Sequence, residues 1–193
     1  RNLAQVRGCL SEPRTLELAR AFGSPVLIDS NLRDGSLRGA ARDRGIPMLV
    51  YEAGEALRMD EVSIRAGIRG ITSVMRELGM LPPTRQRRQS AEPVQALGSS
   101  WLRAGDSGLF RSRVRLGARV RKGDVVGVLA SPFGGSEAAI HAHTTGIVIG
   151  MTQIPLLNEG DAACHIAEVE RPTAAEKAID AFHDHYLSED APA

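Results

Sequence analysis

A carboxylate that directly follows an apolar run is the first candidate for chemistry in this sequence. The stretch "IPMLVYEAGEALRMD", residues 46–60, begins with the continuous apolar run of a buried strand and then presents Glu52. Gly54 allows the chain to turn away immediately afterwards. Ligands of open parallel sheets lie outside the carboxyl ends of the strands, so Glu52 is a candidate general base toward a bound water. The alternative is a structural carboxylate that caps the following loop.

Two arginines in "LRDGSLRGAA" are candidates for binding an anionic substrate. Arg38 is expected in the first turn of a helix capped by Ser36, which places it near the same sheet edge as Glu52. A guanidinium group can bind a carboxylate through two parallel hydrogen bonds. Arg33 lies in the preceding loop and is a second candidate. The alternative is a pair of surface arginines at a loop–helix junction.

The histidines offer one possible metal-binding pattern. His141 and His143 are two residues apart on an expected strand, so their side chains share a face and could chelate a metal. The neighbouring sequence offers no obvious third ligand, and an exposed histidine pair is the alternative. His183 and His185 lie on an expected helix, where this spacing points the side chains apart.

Two basic features leave other functions open. Lys122 leads into a "KGD" turn of the β-rich part, which resembles the lysine position of a swinging-arm carrier only loosely. The cluster formed by Arg85, Arg87 and Arg88 could contact phosphate or could belong to a solvated linker. A non-catalytic binding or carrier-like module is therefore the alternative from a different functional class.

The elements that position these residues alternate between helix and strand. Pro13 and Gly23 bracket a first helix, "PVLIDS" predicts a strand, and "LRGAARDR" predicts a helix that leads into "IPMLVYEA". Asp60 is expected to cap the next helix, which has an apolar stripe at the helical period. The stripe consists of Ile64, Ile68, Ile71, Met75 and Leu78. This alternation predicts an α/β layer.

After a proline-bearing connector, the sequence pattern changes from alternating helices and strands to short β-rich segments. Short β-rich pieces such as "DVVGVLA" and "TGIVIGM" are separated by glycine-bearing turns, which predicts a small all-β module. We expect residues 1–81 to belong to the α/β domain, 82–98 to a linker and 99–170 to a β-barrel-like domain. Residues 171–193 are expected to form a C-terminal helix and tail.

Composition limits the possible partners. The net charge of +1 gives no case for a general nucleic-acid or membrane partner, and no apolar run has the ~18 residues that a membrane span needs. Cys9 and Cys164 are far apart and lack metal-type spacing. We therefore expect a cytoplasmic protein with reduced thiols.

Several segments, in the same order along the chain, resemble the succinylglutamate desuccinylase/aspartoacylase family of zinc-dependent amidohydrolases. These segments are "RNLAQVRG", "LARAFGSPV", "GSLR", "GIP" with "YEAGE", and "IRAGIRGITSVMRELGML". The β-rich tail, with "GLFRSRV" and "KGD", resembles the family's carboxyl-terminal domain. The resemblance implies part of a zinc-carboxypeptidase-like mixed sheet with flanking helices, followed by a small all-β barrel-like domain.

The resemblance also implies a reaction, which is zinc-dependent hydrolysis of the amide of an N-acyl amino acid. Glu52 would match the glutamate that activates the zinc-bound water, and Arg38 the arginine that holds the acyl group's carboxylate. The partner would be a small anionic N-acyl substrate, and a homo-oligomer is possible. In the family the zinc ligands come from an HxxE motif early in the chain and from a second histidine just before the segment that "RNLAQVRG" resembles, and this sequence has neither ligand at those places. The resemblance therefore implies the carboxyl-terminal portion of a longer protein, with zinc ligands upstream.

Overall fold

The structure, a computed structural model, describes residues 1–84 and 92–188 of the 193-residue chain. The chain divides into two compact units. The α/β unit consists of Ala4–Ala96 and Lys177–Ala193, and the β-rich unit consists of Arg1–Leu3 and Leu97–Glu176. The arginine cluster of the connector, Arg85, Arg87 and Arg88, lies outside the described residues.

The α/β unit contains two strands, residues 2–8 and 94–96, that the alternating pattern did not predict. Four strands contribute to its sheet: β1 (Asn2–Gly8), β2 (Val26–Asp29), β3 (Val50–Gly54) and β4 (Val94–Ala96). Strands β1 and β2 are parallel, as are β2 and β4, and β3 pairs with β1. The first strand was missed because Ala4 and Val6 alternate with polar residues, leaving no continuous apolar run.

The contacts of β1 indicate that β3 runs in the opposite direction. Gly8, at the end of β1, lies against Met48 and Leu49, which precede β3. Glu52, further along β3, is instead bonded to Gln5, which lies earlier on β1. Such a reversal of order is the pattern of an antiparallel pair. The sheet is therefore mixed, as expected, and Glu52 lies in the middle of β3 rather than at its carboxyl end.

Four helices lie in the described residues, and the second and third begin where their predicted capping residues indicate. The four helices are α1 (Pro13–Phe22), α2 (Leu37–Arg42), α3 (Glu61–Glu77) and α4 (Pro172–Ser188). Ser36 and Asp60 accept hydrogen bonds from the backbone N–H groups of Gly39 and Ser63, which confirms both N-caps. Gly23 ends α1 with a φ of +81°, a conformation that glycine adopts without steric cost.

Helix α3 packs through a different face from the one that its apolar stripe suggested. Its buried residues are Ala66, Gly67 and Gly70, whereas Ile68 and Ile71 are 60% and 59% exposed. The small residues let the helix backbone approach the rings of Tyr51 and Phe22 closely. The larger side chains lie about one residue further round the helix, roughly 100° away. Close backbone approach, rather than apolar side-chain size, selects the packed face.

Two core clusters of the α/β unit pack against one face of its sheet. Val6 and Leu27 pack with Ala19 and Phe22, and the partly buried Tyr51 joins this cluster. A second cluster includes Ala4, Ala53 and Ala66 together with Phe182 and Tyr186 of α4. These clusters account for the even-numbered positions of β1 and the odd-numbered positions of β3. The alternate positions, which include Gln5, Arg7 and Glu52, therefore point to the opposite face.

The β-rich unit consists mainly of two sheets. Its strands are β5 (Gly98–Arg103), β6 (Gly108–Ser112), β7 (Arg119–Val120), β8 (Val125–Ala130), β9 (Glu137–His141), β10 (Gly146–Met151), β11 (Leu156–Leu157) and β12 (Ala162–Glu168). One sheet has the order β10, β12, β5, with β7 beside β10. The other has the order β11, β6, β8, β9. The apolar core includes Val126, Leu129, Val148 and Ile166.

A barrel-like form is not confirmed for this unit. The strand pairings found in the described part of the unit run along two open sheets and do not close into a barrel. The prediction of an all-β module therefore stands, and the closed arrangement does not follow from it. Separately, none of the helices in the described residues is both long and apolar enough to cross a membrane.

Candidate functional site

The carboxylate of Glu52 accepts hydrogen bonds from two side chains of the neighbouring strand. Nε of Arg7 donates to Oε2 over 2.9 Å, and Nε2 of Gln5 donates to the same oxygen over 3.1 Å. The other oxygen, Oε1, accepts no hydrogen bond from the residues that the structure describes. One half of the carboxylate is thus anchored to β1, and the other half is available for another partner.

Strand periodicity explains why these three side chains meet. Gln5 and Arg7 are two residues apart on β1, so their side chains leave the same face of the sheet. Glu52 lies on the adjacent strand β3 and points to that face as well. Neither donor is predicted from the sequence, because "RNLAQVRG" lacks the continuous apolar run that predicts a buried strand. The alternation of Gln5 and Arg7 with Ala4 and Val6 was the signal that could have revealed them.

The three residues differ strongly in exposure. Gln5 is completely buried, and the side chains of Arg7 and Glu52 are 18% and 36% exposed. The carboxylate is therefore accessible to water, whereas its two donors are more deeply buried. A partly buried ion pair of this kind is screened less by salt than an exposed one. The geometry is that of a carboxylate paired with a partly buried arginine and presented at the surface.

Gln5 has an unusual unsatisfied atom. Its Oε1 is buried and has no hydrogen-bond partner among the described residues. Rotating the amide by 180° would not help, because Oε1 would then face the Glu52 carboxylate and two acceptors would meet. Buried polar groups without partners are uncommon and cost stability. The Gln5 side chain therefore keeps its hydrogen bond to Glu52, and its own carbonyl oxygen stays buried without a hydrogen bond from the described residues.

Arg38 lies at the carboxyl end of β2, and it does not contact Glu52. Its Nη1 and Nη2 atoms donate to the carbonyl oxygens of Ser30 and Asn31 over 3.3 and 3.5 Å. Both contacts are at the long end of the hydrogen-bond range. Helix α2, which contains Arg38, has no buried residues. The guanidinium is thus held only lightly at this loop.

Arg33 is exposed in the loop before α2. No hydrogen bond or ion pair of its side chain is found within the described residues, although its carbonyl oxygen accepts from the Ser36 N–H. Neither Arg33 nor Arg38 joins the group formed by Gln5, Arg7 and Glu52. Their assignment to substrate binding stays a prediction.

The two histidines of the pair in the β-rich unit, His141 and His143, contact different partners. Nδ1 of His141 is 2.9 Å from the carbonyl oxygen of Gly123, and Nε2 of His143 is 2.7 Å from Oγ of Ser100. Both rings are exposed. No group of three or more His, Cys, Asp or Glu side chains that could hold a metal is found within residues 1–84 and 92–188.

A surface groove of about 390 Å³ lies elsewhere on the α/β unit. It is lined by Pro13, Leu16, Glu17, Arg20 and Ala21 of α1 and by Glu77 of α3. Arg14 bonds the Glu17 carboxylate and lowers its pKa. The groove contains none of the residues around Glu52, so it carries no part of the candidate site.

Comparison with known proteins identifies the fold. No model of a known protein family matches the chain, and no curated protein does. Among solved structures, a succinylglutamate desuccinylase/aspartoacylase from Rhodobacter sphaeroides is similar at 24% identity with a TM-score of 0.75, covering 87% of this chain and 54% of that one. A succinylglutamate desuccinylase from Silicibacter sp. TM1040 matches at 20% identity and a TM-score of 0.77, covering 88% and 54%.

A third similar structure is the ectoine utilization protein EutE (DoeB) from Ruegeria pomeroyi. It has 19% identity and a TM-score of 0.79, with 87% of this chain and 56% of that chain covered. The chain therefore spans about half the length of the structures that it matches. These similarities confirm the expected resemblance at the level of the fold.

Proposed function

We propose that this protein is a deacylase that hydrolyses the amide bond of a small N-acyl amino acid or a related amide, with Glu52 as its general base. The proposal depends mainly on the Glu52 carboxylate, which is partly exposed to water. Arg7 and Gln5 hold one of its oxygens, and the other has no hydrogen bond from the described residues. The fold supports the proposal, because the similar structures include proteins named as desuccinylases and aspartoacylases.

The chemistry assigned to Glu52 is a proton relay. Its carboxylate takes a proton from a water molecule as the water oxygen attacks the carbonyl carbon of the substrate amide. The resulting carboxylic acid then gives that proton to the amide nitrogen as the carbon–nitrogen bond breaks. The products are a carboxylic acid, which passes its remaining proton to the amine or to water, and the amine, and Glu52 is again a carboxylate. General acid–base catalysis of this type contributes about 10²–10⁴-fold to a rate.

Zinc belongs to the proposal through the family resemblance, and the described residues do not supply its site. These residues contain no group of three candidate ligands, so the proposal assigns the ligands to residues outside them. A bound zinc ion supplies a Lewis acid that polarises a carbonyl oxygen. The contacts among Glu52, Arg7 and Gln5 support the roles that the proposal gives to these residues.

The proposed substrate is small and anionic, and Arg38 is its proposed anchor. The guanidinium gives up only two long hydrogen bonds to backbone carbonyls when it binds a carboxylate. A bidentate pair with a carboxylate is stronger than either of these bonds because both groups are charged. Arg33, in the adjacent exposed loop, is the second proposed contact.

Replacing Glu52 in the natural full-length gene product tests the proposal. Glu52→Gln should reduce kcat for N-acyl amino acid hydrolysis by about 10²–10⁴-fold, because the amide cannot accept the proton. The matched control is Glu55→Gln, which removes a nearby carboxylate that pairs with Arg58 over 3.4 Å. Glu55→Gln should hydrolyse the substrate at the normal rate. Normal turnover by Glu52→Gln would remove the assignment.

A further inference from the structure

We infer that Gln5 and Arg7 are positioning residues that fix Oε2 of Glu52 and direct Oε1 at the reacting water. This inference rests on the proposed function, since it concerns the same carboxylate. It adds two residues to the proposed site and gives the carboxylate oxygens different roles. Oε2 is held in place, and Oε1 accepts the proton. The sequence pattern around "YEAGE" contains neither residue, and only the pairing of β1 with β3 brings them to the site.

The first argument is that both donors bind the same oxygen. An arginine and a carboxylate commonly form two parallel hydrogen bonds, which would engage both oxygens of Glu52. Here Arg7 uses only Nε, and Gln5 uses Nε2, and both reach Oε2. The arrangement restrains rotation of the carboxylate about its terminal bond. It also leaves the lone pairs of Oε1 available as the proton acceptor.

The second argument is the cost that Gln5 imposes on the fold. The residue is completely buried, and its Oε1 has no hydrogen-bond partner among the described residues. An apolar side chain of similar volume would make the folded protein more stable, because it would bury no unpaired acceptor. A residue that lowers stability while it orients a reacting group is typical of a functional site.

The third argument is the distribution of charge. Arg7 is the cation next to Glu52, and its side chain is only 18% exposed, so solvent screens the pair incompletely. The attraction between the guanidinium and the carboxylate strengthens the hydrogen bond that fixes Oε2. Gln5 orients the carboxylate through a hydrogen bond from an uncharged amide. Together they hold the carboxylate in one orientation before the substrate arrives.

The inference predicts a separation of stability from turnover at Gln5. Gln5→Met removes the donor and the unpaired acceptor while nearly preserving volume. The variant should have a melting temperature equal to or above that of the parent protein, yet its kcat should fall about tenfold with KM within twofold. A residue with a merely structural role would show the opposite result, with a lower melting temperature and a normal kcat.

Arg7 requires variants that separate charge from geometry. Arg7→Met should reduce kcat about 10–100-fold, in keeping with the effect of misplacing a reacting group by about 1 Å. Arg7→Lys keeps the charge, and it should recover part of that loss. If Arg7→Met fails to fold, Arg7→Lys and Gln5→Met still test the inference. The matched control is Arg14→Met, an exposed arginine of α1 that pairs with Glu17 and should leave kcat unchanged.

The experiment measures kcat, KM and melting temperature for these variants in the natural full-length gene product, with Glu52→Gln alongside. Loss of turnover in Glu52→Gln together with normal kcat in both Gln5→Met and Arg7→Met would overturn the positioning inference and leave the proposed function intact. Normal turnover in Glu52→Gln would instead overturn the proposed function. A slower but fully stable Gln5→Met variant supports the inference.

Discussion

Gly70 of α3 lies so close to the aromatic ring of Phe22 in α1 that no side chain fits between them. A methyl group at Gly70 would overlap three ring atoms of Phe22, namely Cδ1, Cε1 and Cζ. The ring is only 9% exposed and belongs to the core of the α/β unit, so it has little space to move. This contact explains why the glycine-bearing face of α3 is the packed one.

Gly70→Ala should therefore destabilise the protein despite the better helix propensity of alanine. Overpacking of a core costs about 1–3 kcal/mol, whereas the propensity gain is about 1 kcal/mol. Chemical denaturation of the 193-residue chain would measure a net loss of up to ~2 kcal/mol. Gly105→Ala, where a methyl group meets nothing within 4 Å, is the control. Combining Gly70→Ala with Phe22→Leu should restore part of the stability, and no recovery would contradict the proposed clash.

The exposed stripe of α3 gives a second stability test. Ile68 and Ile71 are more than half exposed, so Ile68→Gln and Ile71→Gln should each change the free energy of unfolding by less than ~0.5 kcal/mol. Phe22→Ala, in the packed core, should cost about 3–5 kcal/mol. Equilibrium denaturation of the 193-residue chain compares the three. A loss of several kcal/mol at Ile68 would show that this face is packed in solution.

Arg38 should affect substrate affinity more than turnover. Arg38→Ala in the natural full-length gene product should raise KM for substrates with an anionic acyl group about tenfold, with kcat nearly unchanged, because a carboxylate anchor contributes equally to the bound substrate and the transition state. Substrates with a neutral acyl group should show a much smaller effect. Arg42→Ala, on the same helix and paired with Asp43, serves as the control. An unchanged KM for anionic substrates would remove Arg38 from the site.

The two cysteines should react very differently. Burial raises the pKa of the Cys164 thiol to about 12, so at pH 8 it stays protonated and unreactive toward a disulfide reagent. Cys9 is only partly buried, and it should account for the single thiol titrated in the folded protein. Cys9→Ser should abolish that signal. Rapid titration of two thiols at pH 8 would contradict the placement of Cys164.

The same thiol makes stability depend on pH. The folded-state pKa of Cys164 is above the unfolded value of 9, so the folded chain holds one more proton than the unfolded chain between pH 9 and about 12. The contribution of Cys164 to stability is complete below pH 9 and is lost as the pH rises through this window. Cys164→Ala should reduce this alkaline dependence in denaturation curves measured from pH 8 to pH 11.

The boundaries of the helices could be predicted because they depend on neighbouring residues. Ser36 and Asp60 cap α2 and α3 through their own side chains, and Gly23 ends α1 through its own backbone freedom. These interactions span three or four residues and leave a direct pattern in the sequence. The placement of Glu52 on a strand followed by a positive-φ glycine, Gly54, was predictable for the same reason.

The sequence by itself determined the helices, the strands β2 and β3 of the α/β unit, and that a carboxylate lies on β3. Only the tertiary structure decided which face of α3 is packed and that Gln5 and Arg7 bind Glu52. The physical reason is sequence separation, because the bonds from Gln5 and Arg7 to Glu52 join residues 47 and 45 positions apart. No local periodicity encodes such a pairing. It exists only once β3 has paired with β1 and the side chains of both strands alternate between the two faces of the sheet.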